Sequence, residues 1–168
     1  MLLETERLVI RPFRPDDEAE AIELFIDPGF MVWSLDPPHS RDSARAKLQG
    51  FIDLHHVRGI SKLAVFVRTG RRLVGYCGFG LEPIDGPPAP ELGFRLYPEA
   101  RGKGFATEAA RAVVADAFAR LDMPFVQAIV AEDSTASRRV LEKLNMIHRR
   151  NVMLHGHEWM LYRLDASA

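Results

Sequence analysis

The stretch Leu92-Gly93-Phe94-Arg95-Leu96-Tyr97-Pro98-Glu99-Ala100-Arg101-Gly102-Lys103-Gly104-Phe105-Ala106-Thr107-Glu108 decides how the chain is read. It begins as an apolar run with strand character, passes Pro98 and reaches the basic turn Arg101-Gly102-Lys103-Gly104. Beyond the turn, Ala106, Ala109, Ala110, Val113, Val114, Ala117, Phe118 and Leu121 recur at spacings of three and four. A strand, a glycine-bearing turn and a long amphipathic helix are therefore expected in that order.

That junction suits an anion. The first turn of a helix leaves backbone N–H groups without intrahelical partners, and the helix dipole adds partial positive charge there. Gly102 and Gly104 have no Cβ, so a ligand can approach the backbone closely. Arg101 and Lys103 add two cations. Phosphate is the natural occupant, set against the plainer reading of a surface turn that happens to hold two glycines and two charges. Two common phosphate fingerprints fail. The dinucleotide pattern needs a third glycine where Thr107 stands, and Pro98 to Ala100 intervene after the strand. The P-loop needs Gly-Lys-Ser/Thr with an earlier glycine, which is absent.

The 168 residues, 47% hydrophobic and 27% charged, suit one compact domain over residues 1–168. Such a chain can bury roughly 70% of its unfolded surface without metal or disulfide. A net charge of -1 and a pI near 6.6 give no global drive toward nucleic acid or an anionic membrane. The single cysteine, Cys77, lies in an apolar run and reads as a small buried hydrophobe rather than a nucleophile. No apolar run reaches membrane-spanning length, and Met1-Leu2-Leu3-Glu4 does not open a signal peptide, so a cytoplasmic protein is expected.

Arg7-Leu8-Val9-Ile10-Arg11 alternates as a strand. Pro15-Asp16-Asp17-Glu18 starts a helix, with proline in the first turn and acids at the positive end of the dipole. Residues 27–39 read as a loop whose Phe30, Met31, Trp33 and Asp36 either line a substrate cleft or pack onto the body. Ser40 caps a second helix, on whose apolar edge His55 lies. Residues 62–68 and 73–81 form a hairpin, with Gly75, Gly78 and Gly80 marking bulges or close backbone approach. Residues 124–131 read as a buried strand, and Ser134 as the N-cap of a late helix that Asn145 ends in a left-handed conformation. Residues 147–154 and 158–164 close the chain as a hairpin around Gly156. The His155-Gly156-His157-Glu158 turn reads as a solvated tip rather than a metal site. Arg138 and Arg139 either reach phosphates or form a solvated face.

Three motifs, in order, resemble the GNAT superfamily of N-acetyltransferases, and in particular its RimJ/RimL-like branch. The opening Thr5-Glu6-Arg7-Leu8, followed by Val9-Ile10-Arg11-Pro12, is similar to that branch's start. Arg101 to Ala106 matches the coenzyme A pyrophosphate loop, Gln/Arg-x-x-Gly-x-Gly/Ala, and Ala-Thr-Glu-Ala follows from Ala106. Ser134-Thr135-Ala136-Ser137 and Glu142-Lys143-Leu144-Asn145-Met146 resemble the family's Asn-x-x-Ser and Glu-Lys-Leu-Gly-Phe. The resemblance spans residues 5–162. It implies a mixed α/β GNAT fold: a central, mostly antiparallel twisted sheet of about seven strands, splayed at a central parallel pair, with about four helices on both faces.

The resemblance also implies acetyl-CoA as cosubstrate, no metal, and direct acetyl transfer to an amine acceptor, either a protein N-terminus or a small molecule. Arg101, Gly102, Lys103, Gly104, Phe105, Ala106 and Thr107 would hold the pyrophosphate. Backbone amides around Phe94, Arg95 and Leu96 would bind the pantetheine arm and polarise the thioester carbonyl. Ser134 stands where the family has asparagine, and Leu141 where many members carry an acidic tyrosine. Ser137 is then the candidate for stabilising the departing sulfur. Strand parity places Glu91, Gly93 and Arg95 on one face and Leu92, Phe94 and Leu96 on the other. Glu91 is the candidate base, although the same parity would let it pair with Arg95. Trp33 and Asp36 are candidates for the acceptor pocket. No nucleic-acid or membrane partner is expected, and the chain reads as a monomer or homodimer. The missing tyrosine and asparagine leave a non-catalytic acyl-CoA-binding module as the competing reading.

Overall fold

A computed structural model describes residues 1–32 and 39–166. The elements are β1 (Leu3–Glu4), β2 (Leu8–Arg11), a 3-10 turn (Pro15–Asp17) running into α1 (Glu18–Ile26), α2 (Pro28–Met31), α3 (Arg41–Arg58), β3 (Lys62–Val67), β4 (Arg72–Glu82), β5 (Ala89–Leu96), α4 (Phe105–Ala119), β6 (Phe125–Val130), α5 (Thr135–Lys143), β7 (Ile147–Leu154) and β8 (His157–Asp165). Local chemistry sets several of these ends. Ser40 accepts the Ser43 N–H at 3.1 Å and starts α3, which Gly59 ends at φ +70°. Asn145, at φ +62°, follows α5 as the sequence suggests.

The strands form one eight-stranded sheet in the order β1-β2-β3-β4-β5-β6-β8-β7. Every neighbouring pair is antiparallel except β5 and β6, whose parallel pairing is confined to Glu91 opposite Gln127. Beyond that point the two strands part. The mixed α/β sheet with a splayed central parallel pair is therefore present. The described residues add two elements to the expectation of seven strands and four helices: β1 and α2. Both are too short to leave a periodic trace in the sequence. β1 exists because it pairs with β2. α2 forms within the expected loop because Asp27 accepts the Phe30 N–H at 2.6 Å and Pro28 opens the turn.

Alternation along the strands sends side chains into two cores. Leu63, Val65, Val74, Cys77, Leu92 and Leu96 pack on one face with Ala109, Ala110, Val113, Val114 and Ala117 of α4 and Leu141 of α5. The small residues of α4 let the helix lie close to the sheet, which puts its N-terminus beside the end of β5. On the opposite face, Ala64, Phe66, Leu73 and Tyr76 pack with Phe25, Phe30, Met31 and Leu48 of α1, α2 and α3. Phe30 and Met31 are buried, so for these two the packing reading holds. Each such fully buried large side chain contributes about 1.5–3 kcal/mol. Gly75 and Gly78 mark the expected close approaches. A Cβ at Gly75 would overlap the Arg95 carbonyl, and one at Gly78 the Ser61 carbonyl. The β3–β4 register shifts between Val65 and Phe66, an irregularity consistent with a bulge. Among the described residues, no helix is long and apolar enough to cross a membrane.

Candidate active site

The gap left where β6 turns away from β5 is the centre of the site. Tyr97 donates its N–H to the Val74 carbonyl at 2.9 Å, on the β4 side. Alternation then turns the amide of Arg95 toward β4 as well, and the amides of Phe94 and Leu96 toward the gap. Phe94 and Leu96 thus offer backbone donors to a ligand lying alongside β5. The side chain of Arg95 lies on the α1–α3 face, where its guanidinium meets the Met31 sulfur at 3.4 Å and the Phe30 ring at 5.9 Å.

Glu91 sits at the vertex of the gap, 8% exposed. Its Oε2 accepts from Lys62 Nζ at 3.2 Å, and its Oε1 accepts from the Ile129 N–H of β6 at 3.4 Å. Lys62, rather than Arg95, is its ionic partner. Parity permits the Glu91–Arg95 pair, but Arg95 is drawn to the α2 side and Lys62 arrives from β3, two strands away. Glycines make the approach feasible. Lys62 lies flat over Gly80 and Gly93, and a Cβ on Gly93 would overlap its Nζ. The same amine donates to the Gly78 and Glu91 carbonyls, both at 3.2 Å. Burial pushes the Glu91 carboxyl above the usual carboxylate range, and the attraction and hydrogen bond of Lys62 only partly oppose it. A carboxyl held above its ordinary value at the fork of a sheet is a candidate proton acceptor.

The end of β5 leads through a 3-10 turn (Pro98–Ala100) into the loop before α4. Gly102 and Gly104 adopt φ of +73° and +81°, conformations that favour glycine. Gly104 is the N-cap of α4 and has no side chain with which to cap it. The amides of Phe105, Ala106 and Thr107 therefore open the helix without a capping side chain, at the positive end of its dipole. Lys103 is exposed at the turn. Arg101 behaves differently: its guanidinium donates to the Leu96 carbonyl at 3.0 Å and the Gly29 carbonyl at 2.7 Å. It braces the loop against β5 and α2. The Thr107 side chain is buried.

Ser134 and Ser137 lie at the start of α5, which follows β6 and packs against it and α4. Ser134 is buried at the N-cap position, but its hydroxyl makes no capping bond. Ser137 is half-buried on the first turn. Leu141 is buried in the α4–α5 core, so a hydrocarbon occupies the tyrosine position. Arg138 donates to the Glu132 carbonyl at 3.1 Å, closing the turn that leads into α5. Trp33 and Asp36 lie outside the described residues. Cys77 is fully buried, and burial pushes its thiol up to about 12, which suits a core residue and no nucleophile. Among the described residues, no cluster of His, Cys, Asp and Glu could hold a metal, and His155 pairs with Glu82 at 3.2 Å.

Sequence reasoning missed Lys62, and it missed the partners of Glu108. Thr5 Oγ1 donates to Glu108 Oε1 at 2.6 Å, and Arg7 Nε to Glu108 Oε2 at 2.7 Å. The opening motif and the Ala-Thr-Glu-Ala motif are therefore one cluster. An acidic residue inside a helix mouth that favours anions was the available signal.

A mixed sheet forked at one parallel pair, with an uncapped mouth on the helix that follows β5, frames the candidate site. A family model for the acetyltransferase (GNAT) domain matches residues 7–147, and the chain belongs to that family. An uncharacterised N-acetyltransferase of Bacillus subtilis (strain 168), YoaA, is 30% identical over 145 residues, 85% of this chain and 81% of the relative. The crystal structure of an acetyltransferase from Agrobacterium tumefaciens (strain C58) has a similar fold, with a TM-score of 0.84 at 23% identity over 99% of this chain and 95% of that one. RimL, a ribosomal L7/L12 α-N-protein acetyltransferase solved in complex with coenzyme A, gives 0.82 at 21% identity over 98% of both chains. The protein is an N-acetyltransferase by family, and enzymes of this family use acetyl-CoA.

Proposed function

We propose that this chain binds acetyl-CoA along the gap beside β5 and transfers the acetyl group directly to a primary amine, on a protein N-terminus or a small molecule. The observation that carries the reading is two donor sets on one short stretch of chain. The amides of Phe94 and Leu96 face the gap, and a few residues on, the amides from Phe105 to Thr107 open α4 without a capping side chain. The first set would hold the pantetheine arm and polarise the thioester carbonyl, and the second would hold the diphosphate with Gly102, Gly104 and Lys103. Arg101 supports that loop from behind.

In the proposed reaction the ammonium form of the acceptor first gives up a proton. Glu91 receives it directly or through a water. The amine nitrogen then bonds to the thioester carbonyl carbon, the C–S bond breaks, and the second nitrogen proton balances the departing thiolate. Ser137 donates a hydrogen bond to that sulfur, taking the role of the tyrosine that Leu141 replaces. An α-amino group, with a pKa of about 8, deprotonates far more readily than a lysine at about 10.4, so α-amines are the favoured acceptors. Much of the rate would come from holding the reactants in position.

Calorimetry with acetyl-CoA, CoA and ATP, followed by free-thiol release with a panel of amines, tests the reading. Acetyl-CoA binding and amine-dependent thiol release are expected, with Glu91→Gln losing about 100-fold in kcat. Binding without release from any amine would point to a non-catalytic module, and preference for ATP would overturn the site.

A further inference from the structure

We propose that Arg7, assisted by Thr5, is a positioning residue for the diphosphate loop: it cancels the charge of Glu108 inside the mouth of α4 and fixes the carbonyl of Lys103. The proposal rests on the acetyl-CoA reading of that mouth.

Glu108 is the problem that makes the device necessary. It is the fourth residue of α4, one turn or about 5.4 Å inside the helix mouth. A full negative charge there opposes the half-unit of positive charge that the helix terminus offers an anion. It would also repel a diphosphate directly. The structure surrounds this carboxylate with donors. Arg7 meets Oε2 through Nε at 2.7 Å and Nη2 at 2.6 Å, and its backbone N–H reaches Oε1 at 2.9 Å. Thr5 adds its hydroxyl to Oε1 at 2.6 Å. Burial of the carboxyl acts to raise its pKa, but these donors outweigh it and hold Glu108 ionised below the usual carboxylate range.

The same guanidinium reaches the loop itself. Arg7 Nη1 donates to the Lys103 carbonyl at 2.8 Å, and its Cζ lies 4.8 Å from the centroid of the Phe105 ring. A Cβ on Gly104 would stand only 3.3 Å from Arg7 Nη2, so the cation lies against the backbone of the loop. Arg7 is held in turn from just beyond β3: Arg68 donates its N–H to the Arg7 carbonyl at 2.9 Å and its Nη1 to the Thr5 carbonyl at 2.9 Å. One planar, always-charged group thus answers the Glu108 carboxylate and one loop carbonyl together, a task a lysine cannot repeat with a single point charge.

A bolt that merely joined β2 to α4 would show the same contacts, so the test needs a readout that a bolt would not move. Steady-state kinetics are compared for acetyl-CoA and for acetyl-pantetheine, a donor lacking the diphosphate, in wild type, Arg7→Ala, Arg7→Lys and Arg7→Ala/Glu108→Gln, with Tm recorded for each. For Arg7→Ala, the KM for acetyl-CoA is expected to rise about ten-fold or more, with kcat within about two-fold. The KM for acetyl-pantetheine should stay constant. Neutralising Glu108 in the double variant should recover part of the lost acetyl-CoA affinity, and Arg7→Lys should fall between wild type and Arg7→Ala. If Arg7→Ala folds too poorly to assay, Arg7→Lys reads the same ratio of the two donors. Equal loss for both donors, or no recovery in the double variant, overturns the proposal. Wild-type protein that fails to bind acetyl-CoA in calorimetry overturns the site reading and this proposal together, whereas wild-type binding with an unchanged Arg7→Ala overturns this proposal alone.

Discussion

Replacing Lys62 by Met keeps the length of the side chain and removes the one cation that, among the described residues, pairs with Glu91. Both partners of this pair are nearly buried, with side chains 13% and 10% exposed, so solvent screens them little. Removing one partner of a buried pair costs about 3–5 kcal/mol when the other charge stays in place. At roughly 2–4 °C per kcal/mol for a chain of this size, Tm should fall by about 6–20 °C at pH 8. The penalty must depend on pH. Burial already raises the native carboxyl above its unfolded value, and losing Lys62 raises it further. Between the unfolded and native values the native state holds more protons, so stability falls as pH rises through that window. The penalty should be small near pH 4.5 and grow by about 1.4 kcal/mol per unit until the native carboxyl ionises. Urea denaturation of wild type, Lys62→Met, Glu91→Gln and Lys62→Met/Glu91→Gln at pH 5 and pH 8 measures it. The double variant should recover at least about 2 kcal/mol at pH 8, because no unpaired charge remains. A penalty equal at both pH values, or a double variant as unstable as Lys62→Met, would refute the reasoning.

Glu91 as the base requires the acid limb of kcat/KM to lie above the ordinary carboxylate value of about 4.3, with activity lost as pH falls through it, and Glu91→Gln should abolish that limb. Ser137→Ala should lower kcat by about ten-fold while leaving the KM for acetyl-CoA nearly unchanged, since the proposed reaction gives it a hydrogen bond to the departing sulfur alone. Gly78→Ala should destabilise by about 2 kcal/mol or more in urea denaturation, because the new methyl group would meet the Ser61 carbonyl of a neighbouring backbone that cannot swing aside. Cys77, fully buried with its thiol pushed up to about 12, should resist a thiol-specific reagent in native protein and react at once in denaturant.

Much of the site was legible where it is local. The turn at Gly102 and Gly104 announces itself because positive φ and close approach select for glycine within a few residues. The helix after it shows in the three-and-four spacing, and the end of α5 in Asn145. Pairings across the sheet left no such trace. Lys62 and Glu91 are 29 positions apart, and Thr5 and Glu108 are 103 apart. Parity along β5 named Arg95 as a partner for Glu91 because it counts positions on one strand and knows nothing of the neighbouring strands. Arg101 reads as a phosphate ligand by its charge, and its bonds to the Leu96 and Gly29 carbonyls, the second 72 positions away, show only in three dimensions.

The chain by itself determines the order of the longer strands and helices, the glycine turn before α4 and the family, because each rests on short-range backbone preference or on motifs met in sequence. The fork between β5 and β6, the pairing that tunes Glu91, and the clamp of Arg7 on the loop were decided only in three dimensions. Each arises when groups distant along the chain are buried together, and burial makes their charges and hydrogen bonds consequential.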